Sequence, residues 1–436
     1  MTLTKYETRP LECWQKAKEM RLRHYQSLPR AREDGKLLAI GSGSTPWELL
    51  AGFGPFEVLR QTDYGGSIGN MGDMAEQAFE SLEARGYARD LCGYCRAFLG
   101  SMLLDRYVFG GPFPKPDFIV TGLICDNNGK FAQIVAEHLR VPYFYFDVPL
   151  ALTYTRDYDS HLIDYMVTQF QVFIERVSRL TKREYNDEKL FEGIYNRCKS
   201  EVLWARIMEL NQTVPAPLDL KSQYSLFVPL LVAPYSKESV EFYTALLDEV
   251  KHRVDGGIAA LSTERCRLFH DGIPVWHSLR YFREPEKYGA VYVGSFYSMI
   301  MFGAFEEGED GRLVARKSPD EMGITFRSRE DALRFMASWH LDRMTRSGYT
   351  AQVRAWGQLK LLPQWKIDGM IYHLNRGCAA QSSGLLDTKA MVEEKLKLPT
   401  MVYEANSVDR REWDEKRVMD SLEAFLARLG LSELPD

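Results

Sequence analysis

Three cysteines stand where the sequence reads the start of a helix. Cys125 closes the apolar run DFIVTGLIC (117–125) just ahead of Asp126-Asn127-Asn128, and Cys378 ends DGMIYHLNRGC (368–378) just ahead of Ala379-Ala380-Gln381. Cys92 falls in the first turn of a helix expected after Asp90. Helix N-termini present unsatisfied N–H groups and the positive end of the dipole, which favour a thiolate and an anionic cluster. Three thiolates without a nearby histidine pattern suit a soft metal centre, zinc or iron–sulfur, with one position left open for substrate or water. Separations of 33 residues (92 to 125) and 253 residues (125 to 378) match no compact zinc or ferredoxin spacing, so three buried small hydrophobes remain the alternative. Cys95 completes a CxxC with Cys92 and reads as a redox or ligand pair one helical turn apart. Cys13, Cys198 and Cys266 fall in helix or strand interiors and read as structural.

Other familiar chemistry is missing. The segment GSGSTP (41–46) lacks the Lys-Ser/Thr ending of a P-loop, and no strand is followed by GxGxxG, so the chain is not expected to hydrolyse ATP by itself. No HExxH, GxSxG or EF-hand loop occurs.

The elements that must position these cysteines alternate strand and helix. Strands are expected at Lys36–Ile40, Phe56–Arg60, Asp117–Cys125 and Pro142–Pro149, with helices over Trp47–Ala51, Asp73–Arg85, Leu91–Tyr107 and Lys130–Leu139. A second alternating region holds strands near Arg265, at Ala290–Gly294, Asp368–Leu374 and Thr400–Glu404, with helices over Arg329–Arg343 and Glu412–Leu429. The fold class is therefore α/β: two lobes, each a parallel sheet flanked by helices, plus an N-terminal helical segment and a helical bridge. The boundaries read as 1–35 for the helical segment, 36–157 for the first lobe, 158–255 for the bridge and 256–436 for the second lobe. Open α/β sheets bind ligands beyond the carboxyl ends of their strands, so two such lobes enclose a site between them.

The 436 residues, at about 100–200 per domain, leave ample length for this plan. A 45% hydrophobic and 26% charged composition is that of a folded globular chain. A net charge of −5 offers no electrostatic case for nucleic acid or a membrane surface, and no apolar run is long enough to span a bilayer. The charged N-terminus is unlike a signal peptide, so the chain reads as cytoplasmic, with its cysteines kept as thiols.

DLCGYCRAFLG (90–100), TGLICD (121–126), STPWELLAGFGPFEVLR (44–60) and DGMIYHLNRGC (368–378) resemble the 2-hydroxyacyl-CoA dehydratase component D family, which includes the ATP-dependent benzoyl-CoA reductases. The likeness spans nearly the whole chain, and length and motif order are most similar to the B component of the reductases. The Ala405-Asn406 pair departs from the Gly-Asp often found after the last strand in relatives. The resemblance implies a [4Fe–4S] cluster held between two lobes by Cys92, Cys125 and Cys378. It implies a cytoplasmic heteromer with a smaller homologous subunit, fed with single electrons by an ATP-hydrolysing iron–sulfur activator. It also implies an oxidoreductase that reduces an aromatic acyl-CoA to a cyclic dienoyl-CoA. The alternatives are a radical 2-hydroxyacyl-CoA dehydratase subunit, an electron relay that never meets substrate, or a zinc-stabilised scaffold. Such a reaction needs a proton donor: Glu48 and His373 are the candidates, against the readings of a helix first-turn carboxylate and a satisfied core histidine. Lys130 and Arg376 are candidates for coenzyme A phosphates.

Overall fold

A computed structural model describes residues 4–151, 154 and 157–435. Two four-stranded parallel sheets carry the fold. The first contains β1 (Leu37–Gly41), β2 (Phe56–Arg60), β3 (Phe118–Leu123) and β4 (Tyr143–Asp147) in the order β2-β1-β3-β4. The second contains β5 (Cys266–Asp271), β6 (Ala290–Ser295), β7 (Gly369–Asn375) and β8 (Thr400–Ala405) in the order β6-β5-β7-β8. The two orders are the same, so each sheet has a topological switch point, between β1 and β3 in one and between β5 and β7 in the other. Such points open a crevice at the carboxyl edge.

The helices that matter here are α1 (Cys13–Ser27), α2 (Gln61–Gly69), α3 (Asp73–Glu83), α4 (Gly93–Leu103), α5 (Asp126–Leu139), α6 (Ser160–Thr181) and α7 (Asp187–Leu210). The C-terminal half adds α8 (Lys237–Asp255), α9 (Arg329–Arg346), α10 (Ala351–Gln364), α11 (Ala379–Ser382) and α12 (Glu415–Arg428). Several starts follow directly from local chemistry. Asp159, Asn186, Ser328 and Asp414 cap α6, α7, α9 and α12, each accepting a backbone N–H of the first turn at 2.8–3.1 Å.

Both sheets are covered on both faces, and the strands read accordingly. On β1, Leu38 and Ile40 face one core while Leu37 and Ala39 face the other, and all are at most 5% exposed. The first core runs from one face of the first sheet through the second sheet; Leu268, Phe269, Ile371 and Tyr372 belong to it. The second core covers the outer face of the first sheet with Phe170 and Ile174 of α6, Ile194 of α7, and Leu333, Met336 and Ala337 of α9. Helix α9 comes from the second alternating region of the sequence, yet it completes the outer layer of the first sheet.

The expected strands and long helices are present, and the exceptions have physical causes. Helix α2 is not expected from sequence, because QTDYGGSIG has two adjacent glycines that disfavour a helix in isolation. Tertiary approach reverses that preference: a Cβ on Gly65 would lie 2.8 Å from the carbonyl oxygen of Tyr94, and one on Gly66 would lie 3.3 Å from the Trp276 ring. Helix α4 begins at Gly93 rather than at Leu91 and ends at Leu103, short of the expected Tyr107. Among the described residues, no helix is long and apolar enough to cross a membrane.

Helix α4 is held at the backbone-to-backbone distance of α3 by Gly100, where a Cβ would sit 2.1 Å from the Ala78 carbonyl oxygen. Gly100→Ala must push the two helices apart, and the expected destabilisation is about 1–3 kcal/mol. A fall in the denaturant midpoint at unchanged m-value checks it; an unaltered midpoint would refute the close packing.

Candidate functional site

Cys92, Cys125 and Cys378 are the N-cap residues of α4, α5 and α11. Cys92 therefore precedes the first turn in which the sequence places it. Cys125 lies two residues past β3, and Cys378 three residues past β7, so both stand at equivalent strand ends of the two sheets. Each sulfur faces backbone N–H groups of the helix it starts: those of Tyr94 and Cys95 for Cys92, Asn127 and Asn128 for Cys125, and Gln381 for Cys378.

The three thiols line one cavity of about 110 Å³ between the carboxyl edges of the sheets. Its wall is completed by Gly43 after β1, Arg60 at the end of β2, Thr62 in the first turn of α2, Ile273 after β5, Tyr297 after β6, and Arg343 from α9. Gln61 Nε2 donates to Cys95 Sγ. The Cys95 thiol in turn donates to Cys92, which lowers the Cys92 pKa to about 7. Burial raises Cys125, and burial together with the neighbouring Cys92 raises Cys378. Cys95, donating to Cys92 and buried, is pushed well above the ordinary thiol range.

These shifts describe a donor set under mutual repulsion. One thiolate is favoured, and each further negative charge is opposed by the first unless a cation stands among them. Among the described residues, no group of three or more His, Cys, Asp or Glu side chains is gathered tightly enough to hold a single metal ion. A [4Fe–4S] cluster would ask for something different, because each thiolate would bind a separate iron and the cysteine sulfurs would stand further apart. The donor chemistry, the shared cavity and the N–H groups behind each sulfur fit such a group.

Glu48 is 4% exposed and does not line the cavity. It pairs with Arg197 at 2.8 Å, and Arg197 also reaches Glu201 at 3.2 Å. Trp339 Nε1 donates to the other Glu201 oxygen at 2.8 Å. His373 is fully buried, with Nδ1 2.6 Å from the Ile273 carbonyl oxygen, Nε2 3.2 Å from that of Ala405, and its ring stacked on Tyr403. Burial lowers its pKa to about 4, so it is neutral at pH 7. Lys130 donates to Gln133 and Arg376 pairs with Glu404; neither lines the cavity. Cys198 and Cys266 are buried in cores as expected, and Cys13 is half-buried at the start of α1.

A model of the family described as 2-hydroxyglutaryl-CoA dehydratase, D-component, matches residues 43–429. The chain belongs to that family. It is 23% identical over 421 residues to the (R)-2-hydroxyisocaproyl-CoA dehydratase alpha subunit of Clostridioides difficile, covering 94% of this chain and 95% of that one. It is 24% identical over 392 residues to the (R)-phenyllactyl-CoA dehydratase alpha subunit of Clostridium sporogenes, covering 88% of each. It is 23% identical to the lactoyl-CoA dehydratase subunit alpha of Anaerotignum propionicum, over 94% of this chain and 95% of that one.

In this D-component chain the residue that sequence reasoning misses is Arg343. It is 4% exposed and lines the cavity; its Nη2 donates to the Gly43 carbonyl oxygen at 3.4 Å and its Nε stands 3.8 Å from Glu201. Burial, with Arg197 as a like-charged neighbour, lowers its pKa to about 9. Its signal is its register: Arg343 continues the buried stripe Ala332, Met336, Trp339 of α9, an odd address for a solvated cation. Gln381, whose Nε2 is buried without a hydrogen-bond partner, lines the same cavity.

In the metal-free chain, Cys92 is expected to alkylate with iodoacetamide with a midpoint near pH 7, ahead of Cys125 and Cys378. Cys95→Ala should move that midpoint upward, as read by mass spectrometry of the labelled peptides; an unmoved midpoint would refute the Cys95 contact. For His373 the unfolded chain takes up a proton near pH 6.5 and the folded chain only near 4. Its neutral burial therefore supports the fold fully above pH 6.5, and this support is lost as pH falls towards 4. His373→Gln should flatten the stability–pH slope in that window by up to about 1.4 kcal/mol per pH unit, measured by denaturation at stepped pH.

Proposed function

We propose that this chain is a subunit of an ATP-dependent radical 2-hydroxyacyl-CoA dehydratase in which Cys92, Cys125 and Cys378 hold a [4Fe–4S] cluster. The observation that carries the reading is the meeting of three N-cap thiols in one cavity at the switch points of two parallel sheets. The similar proteins are dehydratase alpha subunits, which moves the reading from the benzoyl-CoA reduction expected from sequence to its dehydratase alternative. Their designation as alpha subunits supports a paired second subunit. The missing P-loop supports a separate ATP-hydrolysing activator.

The proposed reaction is redox-neutral overall. The C2–O bond of a 2-hydroxyacyl thioester breaks, a proton leaves C3, and a 2-enoyl thioester and water result. A cluster bound at the three thiols would supply single electrons at low potential.

The remaining roles fall to side chains. Ile124, Met301, Phe302 and Met344 line the cavity and keep bulk water from it, which strengthens every electrostatic contact inside. Arg343 is the cation of the wall with the weakest carboxylate pairing, and with Gln381 it offers donors to negative charge developing on a thioester oxygen. Glu48 and His373 are taken up by Arg197 and by two backbone carbonyls, so neither is assigned a proton-transfer role.

Anaerobic iron and sulfide analysis tests the ligand set: about four irons per chain are expected, lost or destabilised in Cys125→Ser. Unchanged iron in the variant would remove Cys125 from the set. With the paired subunit and activator present, dehydration of a 2-hydroxyacyl-CoA at catalytic ATP is expected. Consumption of benzoyl-CoA coupled stoichiometrically to ATP would instead restore the reductase reading.

A further inference from the structure

Gln381, in the wall of the thiol cavity, has a buried amide nitrogen with no hydrogen-bond partner. Its two oxygens, by contrast, both go to one side chain. Arg354 of α10 donates from one terminal nitrogen to Gln381 Oε1 at 2.5 Å and from the other to the Gln381 carbonyl oxygen at 2.7 Å. Arg354 itself is 1% exposed and does not line the cavity.

A guanidinium has five N–H donors and no acceptor. Facing it, the Gln381 amide has one allowed orientation, with the oxygen towards Arg354 and the NH2 group away from it. Without Arg354 the amide would be free to turn over, because the two ends of a glutamine side chain have nearly the same shape. The cavity wall would then present an acceptor as readily as a donor. With Arg354 it presents N–H alone, and an amide bonded through its oxygen to a cation is polarised into a stronger donor.

Other side chains hold Arg354 in place. Its Nε stands 3.8 Å from Oδ2 of Asp271, the last residue of β5. Asp271 accepts from Gln358 Nε2 at 2.5 Å, and Gln358 Oε1 accepts from the hydroxyl of Tyr372 on β7 at 2.8 Å. Each of these residues is at most 1% exposed. The guanidinium also lies 5.8 Å from the ring of Phe296, just after β6. Arg354 is thus tied to the ends of three strands of the second sheet. A charge pair buried so completely costs free energy that apolar side chains would not, and Arg354 Nε and Asp271 Oδ1 are left without hydrogen-bond partners. Stability does not account for such a group; a fixed direction for one amide does.

We propose that Arg354 is a positioning residue for the reaction: it holds the Gln381 side chain with its NH2 group towards the thiol-lined cavity, where that group donates to the thioester oxygen as negative charge develops there. The inference rests on the acyl-thioester reading above and extends it to a buried cation that does not itself reach the cavity.

The test uses the holoenzyme assembled anaerobically with the paired subunit and activator, and reads kcat, KM, iron content and the denaturant midpoint. In Gln381→Glu one carboxylate oxygen keeps Arg354, while the other puts an acceptor of the same size in place of the NH2 group. Iron content and midpoint are expected to be no lower than in the parent, and kcat for a 2-hydroxyacyl-CoA to fall about 100-fold or more. Arg354→Met should lower kcat about tenfold or more with KM within about threefold, and Arg354→Lys, which keeps the charge without the fork, should recover part of that loss. In a Gln381→Leu background Arg354→Met should change kcat by less than about twofold, because the residue it acts through is gone. Parental kcat in Gln381→Glu would overturn the donor role, and decides the matter even where Arg354→Met fails to fold. A lowered midpoint in Gln381→Glu would overturn the contact with Arg354. An equal loss from Arg354→Met in both backgrounds would overturn the positioning role and leave the acyl-thioester reading intact. A parent that carries its cluster but turns over no acyl-CoA would overturn that reading, and the donor role with it.

Discussion

Everything in this molecule turns on the convergence of helix N-termini that start with a sulfur. A parallel strand delivers its chain to the carboxyl edge of a sheet, and the helix that follows opens with N–H groups that no backbone carbonyl satisfies. Placing cysteine at that junction joins a soft nucleophile to a local positive field. The architecture does this at equivalent strand ends of two sheets with the same order and adds a third from α4, whose position depends on α3 and Gly100. Helix ends, sheet topology and interhelical glycines are separate features of sequence, and here they serve one point in space.

Around that point the protein buries charge deliberately. Arg197 bridges Glu48 and Glu201, Glu201 also accepts from Trp339, and Arg343 lies at the edge of this group, facing the cavity. Burying such groups costs free energy that apolar residues of the same volume would not, so the network is better understood as fixing Arg343 than as adding stability. It also joins the short helical turn Trp47–Phe53 after β1, helix α7 and helix α9, three segments far apart in sequence, behind one wall of the cavity.

Much of this is legible in the sequence where local rules act alone. Apolar runs such as DFIVTGLIC and DGMIYHL have to be buried strands, and Asp, Asn and Ser before charged, periodic stretches have to be caps. The cysteines are legible as helix-start residues for the same reason. What the sequence hides is tertiary in origin. Helix α2 exists because Gly65 and Gly66 admit Tyr94 and Trp276, a contact no local propensity encodes. Arg343 is hidden because a single charge on an apolar stripe is visible only once the stripe is known to face a cavity. Glu48 looks like a candidate acid from its place at the mouth of β1, but its partner lies 149 residues away on α7.

The matched order of the two sheets has one more consequence. Cys92 and Cys125 ride on elements around the first sheet, whereas Cys378 alone rides on the second. The third sulfur therefore reaches the other two only because the two sheets share one continuous core. A centre held by all three sulfurs would therefore tie the second sheet to the pair carried by the first.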